Sequence, residues 1–384
     1  MPMRPPLPIA SPARFTSPLA LVAALFLAGC DSDPAELPPL SEEALAAVVE
    51  DPGAPKDQLA RQFDELFTDE AVGETRASVV MRGGEIVAER YGEGYDADTR
   101  FVSWSMAKTL TAVMIGMLVA DGKLRLDEGP PIPTWQRPGD PRGEITLREL
   151  LQMRSGLRHS EAGDPPYESS EVRMLFLDGR DHMAAFAEAQ PLEAEPGERF
   201  EYSSNTTVIL ADIAARVLSE GSDDPDTRRA AVADFLQARL FGPLGMTSMA
   251  PEFDAAGTLI GGSLVHGTAR DWARFGDFLR NRGSYRGSQL LPRSWVDFMT
   301  EPSPASGFYG AQTWLNNGAG DADNALHPIA QPAGIFAAIG HMGQYIIVSP
   351  AQKLTLVRLG HSDREERAAL LAQMNDIVAL YPAE

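Results

Sequence analysis

The 384-residue sequence predicts an α+β domain interrupted by a helical one. Short β-like runs lie towards both ends of the chain, and the long stretch between them reads as helix. Near the N-terminal end, Ala77–Met81 and Glu85–Tyr91 flank Gly83-Gly84 and read as a hairpin. Near the C-terminal end, Ile335–Ile339, Tyr345–Val348 and Leu354–Leu359 form a second β cluster, followed by a helix over Arg364–Leu380. From about Ser105 to Arg293 the signal is mostly helical with loops, and no repeat recurs at a fixed period.

Residues 1–29 read as a secretory signal. Arg4 and Arg14 supply a basic start, and Leu19–Leu27 supply an apolar run. That run is too short to span a bilayer, which takes about 20 apolar residues. Leu27-Ala28-Gly29-Cys30 looks like a bacterial lipobox, which implies cleavage before Cys30 and acylation of its sulfur. The expected location is therefore the bacterial cell envelope, with the protein lipid-anchored on the periplasmic side. Cys30 is the only Cys, so no internal disulfide can form. Residues 30–40, rich in Pro and acids, read as a tether. Residues 41–74 hold two expected helices, one starting at Ser41-Glu42-Glu43 and one over Gln58–Phe67, with Asp51–Pro55 as the break. The main domain is expected over 75–384.

The formal charge is −21, and losing residues 1–29 would make it −23. That balance argues against nucleic acid, whose phosphates need clustered Lys and Arg. The six His are scattered, with no His-Glu-x-x-His and no Cys partners, so neither a metal nor a cofactor is expected. Gly92-Glu-Gly94-Tyr-Asp-Ala97 follows a strand but opens no apolar helix, so it reads as a turn and not as a dinucleotide site. A Gly-x-Ser-x-Gly elbow is missing. Thr268 and Asp271 resemble a capping box for a helix ending near Arg282. Asn316–Asp323 reads as an irregular loop.

Three segments carry chemistry. In Ser105-Met-Ala-Lys108 the two polar residues fall on one face of a helix, three apart. A Ser hydroxyl needs a base to become a good nucleophile, and a Lys serves once burial lowers its pKa. Thr109–Ala120 contains no charge, so this helix should run through the interior. Only four Lys occur, at 56, 108, 123 and 353. One of so few, placed at the head of the most apolar helix, points to a paired functional cation. A Lys reaching back to solvent is the alternative. In Tyr202-Ser203-Ser204-Asn205 the phenol can shuttle a proton beside an ammonium, although Ser204 or Asn205 is equally well explained as a helix N-cap. In Gly340-His341-Met342-Gly343-Gln344, two glycines let the backbone approach a ligand with N–H groups free.

These segments, with Ile145–Gly156 and Pro243–Met246, occur in the order seen in serine β-lactamase-like hydrolases. The chain resembles that family over roughly residues 75–365, in particular its class C β-lactamase, esterase and 6-aminohexanoate-dimer hydrolase branch. The resemblance implies a penicillin-binding-protein-like fold, an antiparallel sheet flanked by helices with an inserted, mainly helical domain. It also implies a Ser105 acyl-enzyme, with Lys108 and Tyr202 moving the proton. The implied oxyanion hole is the Ser105 N–H with that of His341, or alternatively of Gln344, depending on which Gly matches the family's third motif. His341 is preferred, because the Gly-x-x-Gly-Gln pattern looks like that of the hexanoate-hydrolase branch. Ser204, Gly340 and Gly343 are the implied pocket residues. This chain has Ser204 where the β-lactamases carry Asn, and it lacks the Lys of their third motif, which would grip a β-lactam carboxylate. Small esters or amides are therefore the expected substrates. A β-lactamase or D-alanyl-peptide hydrolase is the alternative, and a catalytically silent penicillin-recognition-like binding protein is a further one.

Overall fold

The computed structural model describes residues 39–317, 325–329 and 332–383. The signal segment, Cys30, nearly all of the tether and most of 316–323 lie outside the described residues. Leu40 onward forms one unit, so the N-terminal helices expected over 41–74 belong to the same body as the rest.

The first strands are β1 (Glu74–Arg82), β2 (Glu85–Tyr91) and β3 (Phe101–Val102), followed by β4 (Ala250–Pro251), β5 (Val265–Gly267), β6 (Ser284–Tyr285) and β7 (Ser288–Gln289). The last four are β8 (Trp314–Leu315), β9 (Phe336–Gly340), β10 (Gln344–Ser349) and β11 (Leu354–His361). The helices before the insertion are α1 (Glu42–Ala46), α2 (Lys56–Thr68) and α3 (Met106–Ala120). The helical middle holds α4 (Leu147–Leu151), α5 (Ser170–Phe176), α6 (Met183–Glu188), α7 (Ser204–Leu218), α8 (Pro225–Leu236) and α9 (Gly242–Leu244). The last three are α10 (Ala269–Arg280), α11 (Arg293–Met299) and α12 (Arg367–Ala379).

The main sheet is antiparallel throughout, in the order β2-β1-β11-β10-β9-β8. The N-terminal hairpin thus joins the C-terminal cluster directly, β1 against β11. The expected α+β architecture is what the chain adopts. Both faces of the sheet are covered, and the side chains alternate between two cores as a period of two requires. Val79, Ile346 and Val357 lie on the side of α3 and α10 in the larger core. Val80, Ile347 and Leu356 face α2 and α12 in the smaller one.

The three-stranded sheet β3-β5-β4 was not legible in the sequence, because two- and three-residue strands carry no measurable alternation. It has a positional role: β3 pairs with β5 just ahead of Ser105. The predicted capping at Thr268 is half present. Its hydroxyl accepts from the Asp271 N–H, but the Asp271 carboxylate turns to the N–H and hydroxyl of Ser248, while Thr268 N–H donates to the Ser248 hydroxyl. Gly92–Tyr95 is a turn, with the Tyr95 N–H donating to Gly92 O at 3.0 Å.

Candidate active site

Strand β3 delivers the chain to a tight junction with α3. Ser103 is anchored by its N–H to Val265 O at 3.0 Å, and Trp104 adopts a positive φ of 45°. A bulky residue in that region is strained, and such strain persists only where the surroundings enforce it. Ser105 follows at the α3 N-cap position, with its hydroxyl left free of capping. Lys108 comes one turn later on the same face, and its ammonium donates to Ser105 Oγ at 2.9 Å.

Lys108 is only 1% exposed, so it does not reach back to solvent. Its other two hydrogen bonds go to Ser204 Oγ at 2.7 Å and Gly262 O at 2.9 Å. All three ammonium protons are therefore placed. The Lys108 pKa does not fall as the sequence suggested. Burial works to lower it, but Tyr202, Glu161 and Glu171 favour the charged form and the net direction is upward. Tyr202 sits with its ring centroid 4.8 Å from the Lys108 Nζ, against Trp314 and Tyr309. Burial raises its phenol above the ordinary range, Lys108 opposes this, and Glu161 reinforces it.

A cleft of about 1010 Å³ opens over these groups. Ser105, Tyr202 and Trp104 line it together with Gly340 and His341. Residues 161–176 supply one wall, including Glu161 and Glu171. The segment at 325–327, Arg364 ahead of α12 and Arg367 at its start supply another. Burial and the neighbouring Glu161 push Glu171 up to about 7, with Lys108 opposing. Among the described residues no group of three His, Cys, Asp or Glu side chains is arranged to hold a metal.

Three of the nominated pocket and oxyanion residues lie elsewhere. Ser204 is fully buried and does not line the cleft. Its hydroxyl accepts from Lys108 and donates to Glu161 Oε1 at 2.7 Å, while its N–H donates to Glu161 Oε2 at 2.6 Å. Nor is it the N-cap of α7: Ser203 holds that place, its hydroxyl accepting from the Thr206 N–H. Gly343 packs against the buried Arg358, whose guanidinium donates to Gly343 O at 2.9 Å. Gln344 is buried, and its side-chain amide donates to His341 O, Met342 O and Gly360 O, which fixes the turn after β9. Only Gly340 and His341 of this segment line the cleft. His341 meets the Trp104 indole edge-on, with centroids 5.5 Å apart.

Gly340 is required by close approach. A Cβ there would lie 2.3 Å from Ser103 O, a backbone atom two residues before Ser105. Gly340→Ala must therefore push β9 away from the nucleophile junction. Misplacement on the ångström scale costs on the order of 100-fold in rate. The expected outcome is a fall of about 10- to 100-fold in kcat/KM with the cooperative melt retained, checked by ester kinetics beside thermal unfolding.

His159 anchors the loop that carries Glu161. It is 5% exposed, with Nε2 at 3.1 Å from Ala187 O and Nδ1 at 3.2 Å from Thr206 Oγ1. A carbonyl only accepts, so Nε2 carries the proton and Nδ1 accepts from the Thr206 hydroxyl. Burial lowers its pKa to about 4 from the usual 6.5. Between those values the unfolded chain binds a proton that the folded state refuses, so stability falls as pH drops from about 6.5 to 4. The His159 contribution to that loss is about 3 kcal/mol. Urea midpoints measured across this range should show a shallower pH slope in His159→Gln than in the wild type.

The β-lactamase family model matches residues 63–379. The chain belongs to the β-lactamase family. As a member it is a serine hydrolase with the fold described above. It is 25% identical over 325 residues to the 6-aminohexanoate-dimer hydrolase of Paenarthrobacter ureafaciens, covering 78% of this chain and 74% of that one. A solved β-lactamase of Mycobacterium bovis matches with a TM-score of 0.58 at 21% identity, covering 83% of this chain and 98% of the other. A solved family VIII carboxylesterase matches with a TM-score of 0.58 at 15% identity, covering 82% and 96%. Identities this low speak for the shared fold alone.

Glu161, Glu171 and the Gly262 carbonyl have no sequence signal in this β-lactamase-family chain. Glu161 stands in an irregular loop, 43 residues from the Ser204 it holds, and only the tertiary fold joins them.

Proposed function

We propose that this β-lactamase-family hydrolase cleaves carboxylic esters or small amides through an acyl-enzyme on Ser105. The observation that carries the reading is the 2.9 Å contact between Lys108 Nζ and Ser105 Oγ at the floor of the cleft, with Tyr202 facing both. In the first step, once the Lys108–Tyr202 pair has given up one proton to solvent, Ser105 Oγ attacks the carbonyl carbon and its proton passes to that pair. The same pair returns a proton to the departing alcohol or amine. Water then attacks the acyl carbon and gives a proton to the same pair, which returns one to Ser105 Oγ as the acyl–oxygen bond breaks and the acid leaves. The developing oxyanion is received by the Ser105 N–H at the start of α3 and by the His341 N–H, supported by the position of His341 on the cleft wall. The lack of Lys in 340–344 favours esters and small amides over β-lactams, because no ammonium on that segment meets a substrate carboxylate.

The test is a panel of p-nitrophenyl esters, small anilides and nitrocefin offered to the purified protein. Hydrolysis of the esters with little nitrocefin turnover is expected. Nitrocefin turnover equal to that of the esters overturns the substrate reading.

The same reading places the protein in the bacterial envelope, held on the periplasmic side by lipid on Cys30, and it rests on the Leu27-Ala-Gly-Cys30 sequence behind a short apolar run. Incorporation of labelled palmitate into the wild type and its loss in Cys30→Ala is the matching measurement.

A further inference from the structure

Glu161 makes no direct contact with Ser105, yet it is tied to it through two intermediates. Ser105 Oγ accepts from Lys108 Nζ at 2.9 Å, and Lys108 donates on to Ser204 Oγ at 2.7 Å. Ser204 Oγ donates in turn to Glu161 Oε1 at 2.7 Å. The second carboxylate oxygen takes the Ser204 N–H at 2.6 Å, which locks the carboxylate against the start of α7. Glu161 Oε1 also lies 3.7 Å from Lys108 Nζ. One edge of this chain of bonds is buried, because Lys108 and Ser204 are almost wholly covered, while the Glu161 side chain is 26% exposed to the cleft.

We propose that Glu161 is a positioning residue that, through Ser204, holds the proton on the Lys108–Tyr202 pair and so sets the pH at which Ser105 becomes reactive. The inference rests on the acyl-enzyme reading above. A carboxylate this close to an ammonium favours the charged amine, and close to a phenol it disfavours the phenolate. Both effects keep the accepting atom protonated. Whether Lys108 or Tyr202 takes the Ser105 proton, removal of the Glu161 charge frees that acceptor at lower pH. The groups facing the pair from the packed elements are few. Glu171 on α5 acts in the same direction as Glu161 on Lys108, and Tyr309 stands behind Tyr202. His341, across the cleft, has a pKa that burial and His361 lower and Glu161 raises. Of these, Glu161 alone is bonded into the path to Ser105.

Glu161→Gln keeps the size and one of the two acceptors but removes the charge. The readout is the rate at which a fluorophosphonate labels Ser105 in the full-length chain across about pH 5 to 10, followed beside kcat/KM for p-nitrophenyl butyrate. In the wild type the rate should rise with pH along a limb that flattens near 7, where Glu171 ionises and adds to the hold on the proton. In Glu161→Gln that limb should move to lower pH by about one to three units, so that below it the variant is labelled roughly tenfold faster per unit moved. Glu161→Asp should return the limb towards its wild-type position. An unmoved limb in folded Glu161→Gln, or a rate lowered equally at every pH, overturns the inference. Labelling without ester hydrolysis overturns the substrate reading, and the limb comparison still decides the role of Glu161. A wild type that is not labelled at any pH overturns both.

Discussion

Ser105→Ala is expected to lower ester hydrolysis by on the order of 10⁴- to 10⁶-fold and to abolish labelling by a fluorophosphonate. The hydroxyl is the only group lost, and it meets the Lys108 ammonium at 2.9 Å and the Tyr202 phenol. Lys108 keeps Ser204 Oγ and Gly262 O as acceptors, so the buried cation remains satisfied and the melt should stay near that of the wild type. Activity within tenfold of wild type in a folded Ser105→Ala protein would sink the mechanism. The size of the effect follows from what cannot be replaced. Tyr202 faces the cleft but is a phenol held protonated, and Ser204, whose hydroxyl also meets Lys108, is buried and does not line the cleft.

Lys108→Met is the second large effect. Methionine fills the space of the Lys stem while removing every donor. Without the ammonium, Ser105 loses its proton acceptor or the charge that steadies the Tyr202 phenolate, according to which group is the base. Both routes lead to a fall of about 10²- to 10⁴-fold in kcat. KM should change little, because Lys108 lies beneath the cleft and not among its lining residues. The Gly262 carbonyl, deprived of its donor, should cost about 1–3 kcal/mol of stability, readable as a lower denaturant midpoint. Lys108→Arg is not expected to rescue the rate. A guanidinium is planar and does not deprotonate in a protein, and the position of Lys108 is buried at 1% exposure.

The two effects differ in what each variant leaves behind. Ser105→Ala keeps the electrostatics of the site and removes the nucleophile. Lys108→Met keeps the nucleophile but changes the charge beneath it. Residual activity, pH dependence and stability should therefore separate the two variants cleanly.

The main elements were legible because their patterns are long. The hairpin at Gly83-Gly84 and the three C-terminal strands stand within two or three residues of where alternation and turn residues put them. The uncharged run after Lys108 became a helix buried on every side, as uniform hydrophobicity requires. Ser105 and Lys108 came together because three residues of helix suffice to pair them. The nearness of Tyr202 could only be inferred from the resemblance, since 94 residues of chain separate it from Lys108. Ser204, Gly343 and Gln344 illustrate the opposite case. Each is polar or small and close in sequence to a functional residue, yet each faces inward: Ser204 to Lys108 and Glu161, Gly343 to Arg358, Gln344 to the turn it closes.

By itself, the sequence determined the fold class, the buried helix and the Ser105–Lys108 pair, all of which depend on periodicity or on local spacing. Only the tertiary structure decided the protonation of that pair. The expectation that burial would lower the Lys108 pKa treated the cation as alone in an apolar interior. The fold instead brings Tyr202, and Glu161 with Glu171, from two distant segments to face it. Desolvation follows from local hydrophobicity and can be read along a chain, but the fields of facing charges depend on through-space distance, which no local pattern encodes.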